Sequence, residues 1–102
     1  MVEISGKEVD EVVKKDSAVV IDCWAPWCPT CRMMMPNIEK LEEDNSNIKF
    51  YKINMDENQD FAKSHDVFSL PTLLFYKDGG ELERTTGFKQ KVQINAILDK
   101  IR

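Results

Sequence analysis

Ala18-Val19-Val20-Ile21-Asp22-Cys23-Trp24-Ala25-Pro26-Trp27-Cys28-Pro29-Thr30-Cys31 carries a strand, a turn and the head of a helix. Ala18 to Trp24 is a β-branched, apolar run without polar alternation, the pattern of a central strand buried on both faces. From Cys28 to about Asp44 the apolar positions Cys31, Met34, Met35, Ile38 and Leu41 fall on one side of a helix. Pro36 interrupts that pattern. A proline inside a helix loses one hydrogen bond and costs ~3 kcal/mol, so a kink is predicted there and not a stop.

The flanking sequence extends this alternation of strand and helix. Val2 and Ile4 suffice for a short first strand. Ser5 with Glu8 fits a capping box, and Val9, Val12 and Val13 then recur at helical spacing, which predicts a helix over about Gly6 to Lys15. Ile48 to Asn54 reads as a strand, and Asp56 with Gln59 is the expected cap of a short helix carrying Phe61 and Ala62. Thr72 to Tyr76, the turn Asp78-Gly79-Gly80 and Glu81 to Thr86 form a hairpin. A last helix spans about Gln90 to Ile101, with Ile94, Ile97, Leu98 and Ile101 inward. The order β-α-β-α-β-α-β-β-α implies an α/β fold. Its central mixed β-sheet is flanked by helices on both faces, with the hairpin adding antiparallel strands at one edge.

The 102 residues leave room for one domain, expected over residues 1–102, and such a chain buries roughly 60–70% of its unfolded surface without disulfide staples. Hydrophobic residues at 42% and charged residues at 31% exclude a disordered segment. No apolar run approaches the ~20 residues of a membrane span, and the N-terminus lacks the pattern of a signal peptide; with Met1 as the true start, a cytoplasmic protein is expected. Fourteen basic against eighteen acidic side chains give a formal charge of −4, which argues against a nucleic-acid partner. Three cysteines, an odd number without a secretion signal, point to catalysis or metal binding before a structural disulfide framework.

Cys28 and Cys31 stand where the buried strand hands over to the helix, with two residues between them that let the sulfurs approach to bonding distance. Helix geometry aims free backbone N–H groups at Cys28 and favours its thiolate, the nucleophile of disulfide exchange, so an exposed cysteine of lowered pKa is what the chemistry needs. Pro29 suits the first helical position, where its missing N–H would have no partner anyway. A C-x-x-C is also half of a zinc site. Such a site would recruit Cys23, Cys28, Cys31 and His65, but Cys23 lies within the predicted central strand and no second paired ligand motif exists. Asp22 is an acid in mid-strand, where an ionised carboxylate is costly. Period-two alternation puts Lys52 on the face of Ile48 and Phe50, so the two charges suggest a pair on adjacent strands, with the acid's pKa raised by desolvation. A structural buried pair is the alternative. Pro71 fits a cis-proline ahead of a strand or an ordinary strand-start proline. Met33, Met34 and Met35 read as helix packing with a soft contact surface.

Trp24-Ala25-Pro26-Trp27-Cys28-Pro29-Thr30-Cys31 resembles the active-site signature of the thioredoxin family. Ile21-Asp22 matches that family's buried acid and Pro36 its kink proline. Lys52 matches its strand lysine, Leu70-Pro71-Thr72 its cis-proline loop and Gly87 the glycine before its last helix. The likeness covers about residues 1 to 102. It implies a thioredoxin fold and a dithiol–disulfide reductase of protein substrates, with Cys28 as nucleophile and Cys31 as resolving thiol. It further implies that Asp22 handles the Cys31 proton with Lys52 as partner, that Trp27, Pro29, Thr30, Leu70 and Pro71 meet the substrate, and that Pro71 faces the cysteines. No metal or organic cofactor is expected; the implied partners are disulfide-bearing proteins and a flavin-containing thioredoxin reductase, with no membrane contact and a monomeric chain. Two positions depart from the pattern. Pro29-Thr30 replaces the usual Gly-Pro, which bears on the redox potential, and Cys23 replaces a bulky core residue, read as a buried, inert thiol. Rival readings are a glutathione-linked or isomerase-like role, a redox-gated binding module and a metal-binding protein.

Overall fold

A computed structural model describes all residues, Met1–Arg102. Its strands are β1 (Val2–Glu3), β2 (Ala18–Trp24), β3 (Lys49–Asn54), β4 (Thr72–Lys77) and β5 (Gly80–Thr86); its helices are α1 (Val9–Lys15), α2 (Pro29–Asp44), α3 (Gln59–Ser64) and α4 (Lys91–Leu98). The strands form one sheet in the order β1-β3-β2-β4-β5. β1 and β2 run parallel to β3, whereas β4 lies antiparallel to β2 and β5 to β4. This is the mixed sheet expected from the element order.

β2 is the sheet's middle strand and carries two cores. Val19, Ile21 and Cys23 pack with Val9, Val12 and Val13 of α1, Phe61 of α3 and Val67. Ala18 and Val20 pack on the other side with Phe50, Leu73 and Phe75, beneath Met34, Ile38 and Leu41 of α2 and Ile94 and Leu98 of α4. Each fully buried large aliphatic or Phe side chain contributes about 1.5–3 kcal/mol, so the sheet is held from both sides. α2 runs through Pro36 to Asp44, so the proline does not stop the helix. β4 and β5 are joined by Asp78 (φ +50°) and Gly79 (φ +88°), the two left-handed positions of a type I′ hairpin turn.

Three local expectations need correction. The first turn of the N-terminal helix, Gly6–Glu8, is 3-10, and the Ser5 N–H donates to Glu8 Oε1 at 2.9 Å. Asp56 does not cap α3; it lies in a separate 3-10 turn, Met55–Glu57, where its N–H donates to Asn54 Oδ1 at 3.0 Å. α3 starts from Asn58, whose Oδ1 accepts from the Gly6 N–H at 2.8 Å. The α4 helix closes at Leu98, and Ile101 is buried from the turn that follows.

Candidate active site

The site sits at the C-terminal end of β2, where Trp24-Ala25-Pro26-Trp27 leads into α2. Cys28 is the N-cap of α2 and Pro29 its first residue. Cys28 and Cys31 are joined as a disulfide with Cα atoms 5.3 Å apart. Cys28 Sγ accepts from the Cys31 N–H at 3.2 Å and lies 3.3 Å from Thr30 Oγ1. The side-chain donor is the Thr30 hydroxyl; the backbone donor is Cys31's, because the helix N-terminus directs the third residue's N–H at the cap. Cys28 is 3% exposed and Cys31 1%, which corrects the expectation of an exposed nucleophile. Trp24, Ala25 and Leu70 pack around both sulfurs in this oxidised state. Position on the helix, and not exposure, distinguishes them.

Leu70-Pro71 is a cis peptide. The loop is fixed from both ends: Thr72 Oγ1 donates to Ser69 O at 2.6 Å, and the Gly87 N–H donates to Pro71 O at 2.8 Å. Gly87 has φ +82°, a conformation natural to glycine. Leu70 also packs against the α1/α3 core, so this loop ties the sulfur cluster to the rest of the molecule. Trp27 is 64% exposed, and its Nε1 donates to Asp56 Oδ1 at 2.9 Å. That bond holds the Asp56 carboxylate beside the active-site loop, away from α3. Nothing in the spacing of Trp27 and Asp56 announces it, because it joins two separate loops. Phe68, the lone aromatic of the loop before Ser69, is 81% exposed and shares a groove with Trp27, Met55, Val67 and Leu70.

Asp22 is 1% exposed and stands opposite Lys52 in the parallel register of β2 and β3. The expected direct pair is not formed: neither Asp22 oxygen has a hydrogen-bond partner. Instead Lys52 Nζ lies 5.0 Å from the centroid of the Trp24 ring. Burial pushes the Asp22 carboxyl up to about 7, with the Lys52 charge opposing the rise only in part. Cys23 faces the α1/α3 core, fully buried and unbonded, and burial with the nearby Asp22 charge pushes its thiol far above the ordinary range. It is therefore a packing residue at neutral pH. Cys23, Cys28, Cys31 and His65 do not converge on one point. Met34 is wholly buried while Met33 is 63% exposed, so the methionine run supplies both core and surface.

Comparison with known proteins gives one answer throughout. The family model described as Thioredoxin matches residues 1–100. The chain is 44% identical over 98 residues to Thioredoxin-2 of Saccharomyces cerevisiae, covering 95% of this chain and 94% of that one. It is 41% identical over 86 residues to the Thioredoxin of Bacillus subtilis, covering 83% of each. Among solved structures, a mutant thioredoxin from Halobacterium salinarum NRC-1 superposes with a TM-score of 0.92 at 30% identity, covering 98% of this chain and 88% of that one. Sequence, sheet order and the cysteine pair at the head of α2 thus converge, and the chain belongs to the thioredoxin family, whose thiol–disulfide oxidoreductases reduce protein disulfides through such a pair.

Proposed function

We propose that the residues divide the reductase reaction as follows, within a single thioredoxin domain over residues 1–102. The Cys28 thiolate attacks one sulfur of a substrate disulfide and forms a mixed disulfide, and the other substrate sulfur leaves as a thiolate that takes up a proton. Cys31 gives its proton to Asp22 and attacks Cys28 Sγ. The second substrate thiolate leaves, the Cys28–Cys31 bond closes, and two electrons have passed to the substrate. Lys52 biases the charge of Asp22, while Trp27, Pro29, Thr30, Leu70 and Pro71 form the surface along which the substrate segment lies. A thioredoxin reductase carrying a flavin returns two electrons to the disulfide. The Pro29-Thr30 pair between the cysteines tunes the exchange through the Thr30 hydroxyl. The chain works as a monomer in the cytoplasm. Its sheet edges support the first point: β1 has two residues, and β5 presents the charged Glu81, Glu83 and Arg84, which discourages strand addition.

The observation that carries this division is the asymmetry of donors. Cys28 Sγ has two groups directed at it, the Cys31 N–H and the Thr30 hydroxyl, and a helix N-terminus favours negative charge at that atom. A thiolate stabilised in this way attacks first. Cys31→Ser is expected to accumulate a mixed disulfide with a protein substrate, visible as a mass increase that dithiothreitol reverses, and Cys28→Ser to accumulate none. Trapping through Cys31 in the Cys28→Ser variant would reverse the roles.

A further inference from the structure

Asp22 and Trp24 sit two residues apart on β2 and so share a face of the sheet. Asp22 Oδ1, Asp22 Oδ2 and Trp24 Nε1 are three of the buried side-chain polar atoms that lack a hydrogen-bond partner. The only ionised group acting on the Asp22 carboxylate is Lys52, which holds the register position directly across from it. A lysine in that position, on a flexible four-carbon stem, has the reach to close onto the acid. Its ammonium instead lies over the face of Trp24, where the ring quadrupole attracts a cation.

The other elements packed on this face offer Asp22 no competing charge. β4 places Leu73 opposite it, and α2 and α4 bring Met34, Ile38, Ile94 and Leu98. Cys23, its titratable neighbour in sequence, faces the opposite core. Cys28 and Cys31 pack with Trp24 and are the further titratable groups beside it once the disulfide opens. The location of one ammonium therefore bears on the charge environment of the acid, and that ammonium lies over the Trp24 ring.

We propose that Trp24 is a positioning residue: its ring face holds the Lys52 ammonium away from the Asp22 carboxylate, leaving Asp22 free to gain and lose a proton. Without the ring, the ammonium closes onto the carboxylate and favours its anionic form. This rests on the reading of Asp22 as the acid that serves Cys31, and the experiment separates the two.

The Asp22 ionisation is followed directly in the oxidised protein by carboxyl carbon NMR across pH, beside the pH profile of disulfide reduction. Trp24→Leu is expected to lower the Asp22 midpoint by roughly one pH unit, as an opposite charge in contact does. Trp24→Phe, which keeps a ring face, should restore most of it. In a Lys52→Met background the Trp24→Leu change should produce no downward shift. An unmoved midpoint in Trp24→Leu, or a downward shift that persists without Lys52, overturns the proposal. A lowered midpoint with an unmoved reduction profile upholds the positioning and overturns the role of Asp22 in proton transfer. Should the leucine variant fail to fold, the unmodified protein still decides the matter. The Lys52 Cε protons should resonate upfield from the ring current of Trp24, and ordinary lysine shifts overturn the proposal.

Discussion

Asp22 shows how a single residue can set its protein's pH response. Its carboxyl titrates near 7 when folded, against an ordinary value of 3.8, so between these values the folded chain holds a proton that the unfolded chain has lost. Stability therefore falls as pH rises through this window and stays low above it; the shift corresponds to about 4 kcal/mol by pH 8. Asp22→Asn is expected to abolish this part of the pH dependence. Its urea midpoint should be nearly the same at pH 5 and pH 8, while that of the parent falls, and its disulfide-reduction rate near neutrality should drop. An equally steep loss of stability in the Asn variant would place the titrating group elsewhere. That a charge sits here was legible, because an acid interrupts an otherwise apolar strand. Lys52 on the same face was legible from period two. What the sequence does not contain is the rotamer that sends the lysine to Trp24, since a ring two residues from the acid reads equally well as packing.

Among the elements, α2 concentrates the chemistry in its first turn. On the proposed division of roles, the Thr30 hydroxyl, 3.3 Å from Cys28 Sγ, would stabilise the thiolate and hence the reduced state, making the disulfide more oxidising. Thr30→Val keeps the shape and removes the donor. It should lower the reduction potential by about 20–30 mV, the equivalent of one hydrogen bond of roughly 1–1.4 kcal/mol. Replacing Pro29-Thr30 by Gly-Pro should move it the same way, and the parent should lie above the ~ −270 mV of thioredoxin. Equilibration with glutathione measures all three proteins, and an unmoved potential in the valine variant would remove the hydroxyl from the account. Element type followed from local signals wherever these had no competitor. Pro36 stayed inside a helix because apolar spacing continues on both sides of it, and Asp78-Gly79 made the turn that its left-handed preference demands. The start of α3 was misread because Asp56, a good cap by type, sits in its own 3-10 turn, where its Oδ1 accepts from Trp27 Nε1, and a long-range bond competes with a local propensity.

At the scale of the whole molecule, Gly6 marks where the N-terminal segment meets α3. A Cβ there would lie 2.6 Å from Phe61 Cβ, and the same glycine donates its N–H to Asn58. Gly6→Ala is expected to destabilise the fold by about 1–3 kcal/mol, lowering the melting temperature by roughly 4–8 °C per kcal/mol, with unchanged reduction kinetics well below the melt. A circular-dichroism melt checks it; an unchanged melting temperature would mean that the segment yields without cost. The middle position of β2 has a consequence of another kind, in the time before the fold exists. Synthesis proceeds at about 5–20 residues per second, so seconds separate the emergence of Cys28 and Cys31 from that of Leu70, which packs against them. A fragment of residues 1–58 holds both thiols and Asp22 but lacks Leu70 and the β4 partner of β2, and its cysteines should alkylate faster than those of the reduced full chain. On the ribosome both thiols thus emerge before Leu70 can pack against them, and the interval leaves them more open to stray oxidation than they are in the finished fold.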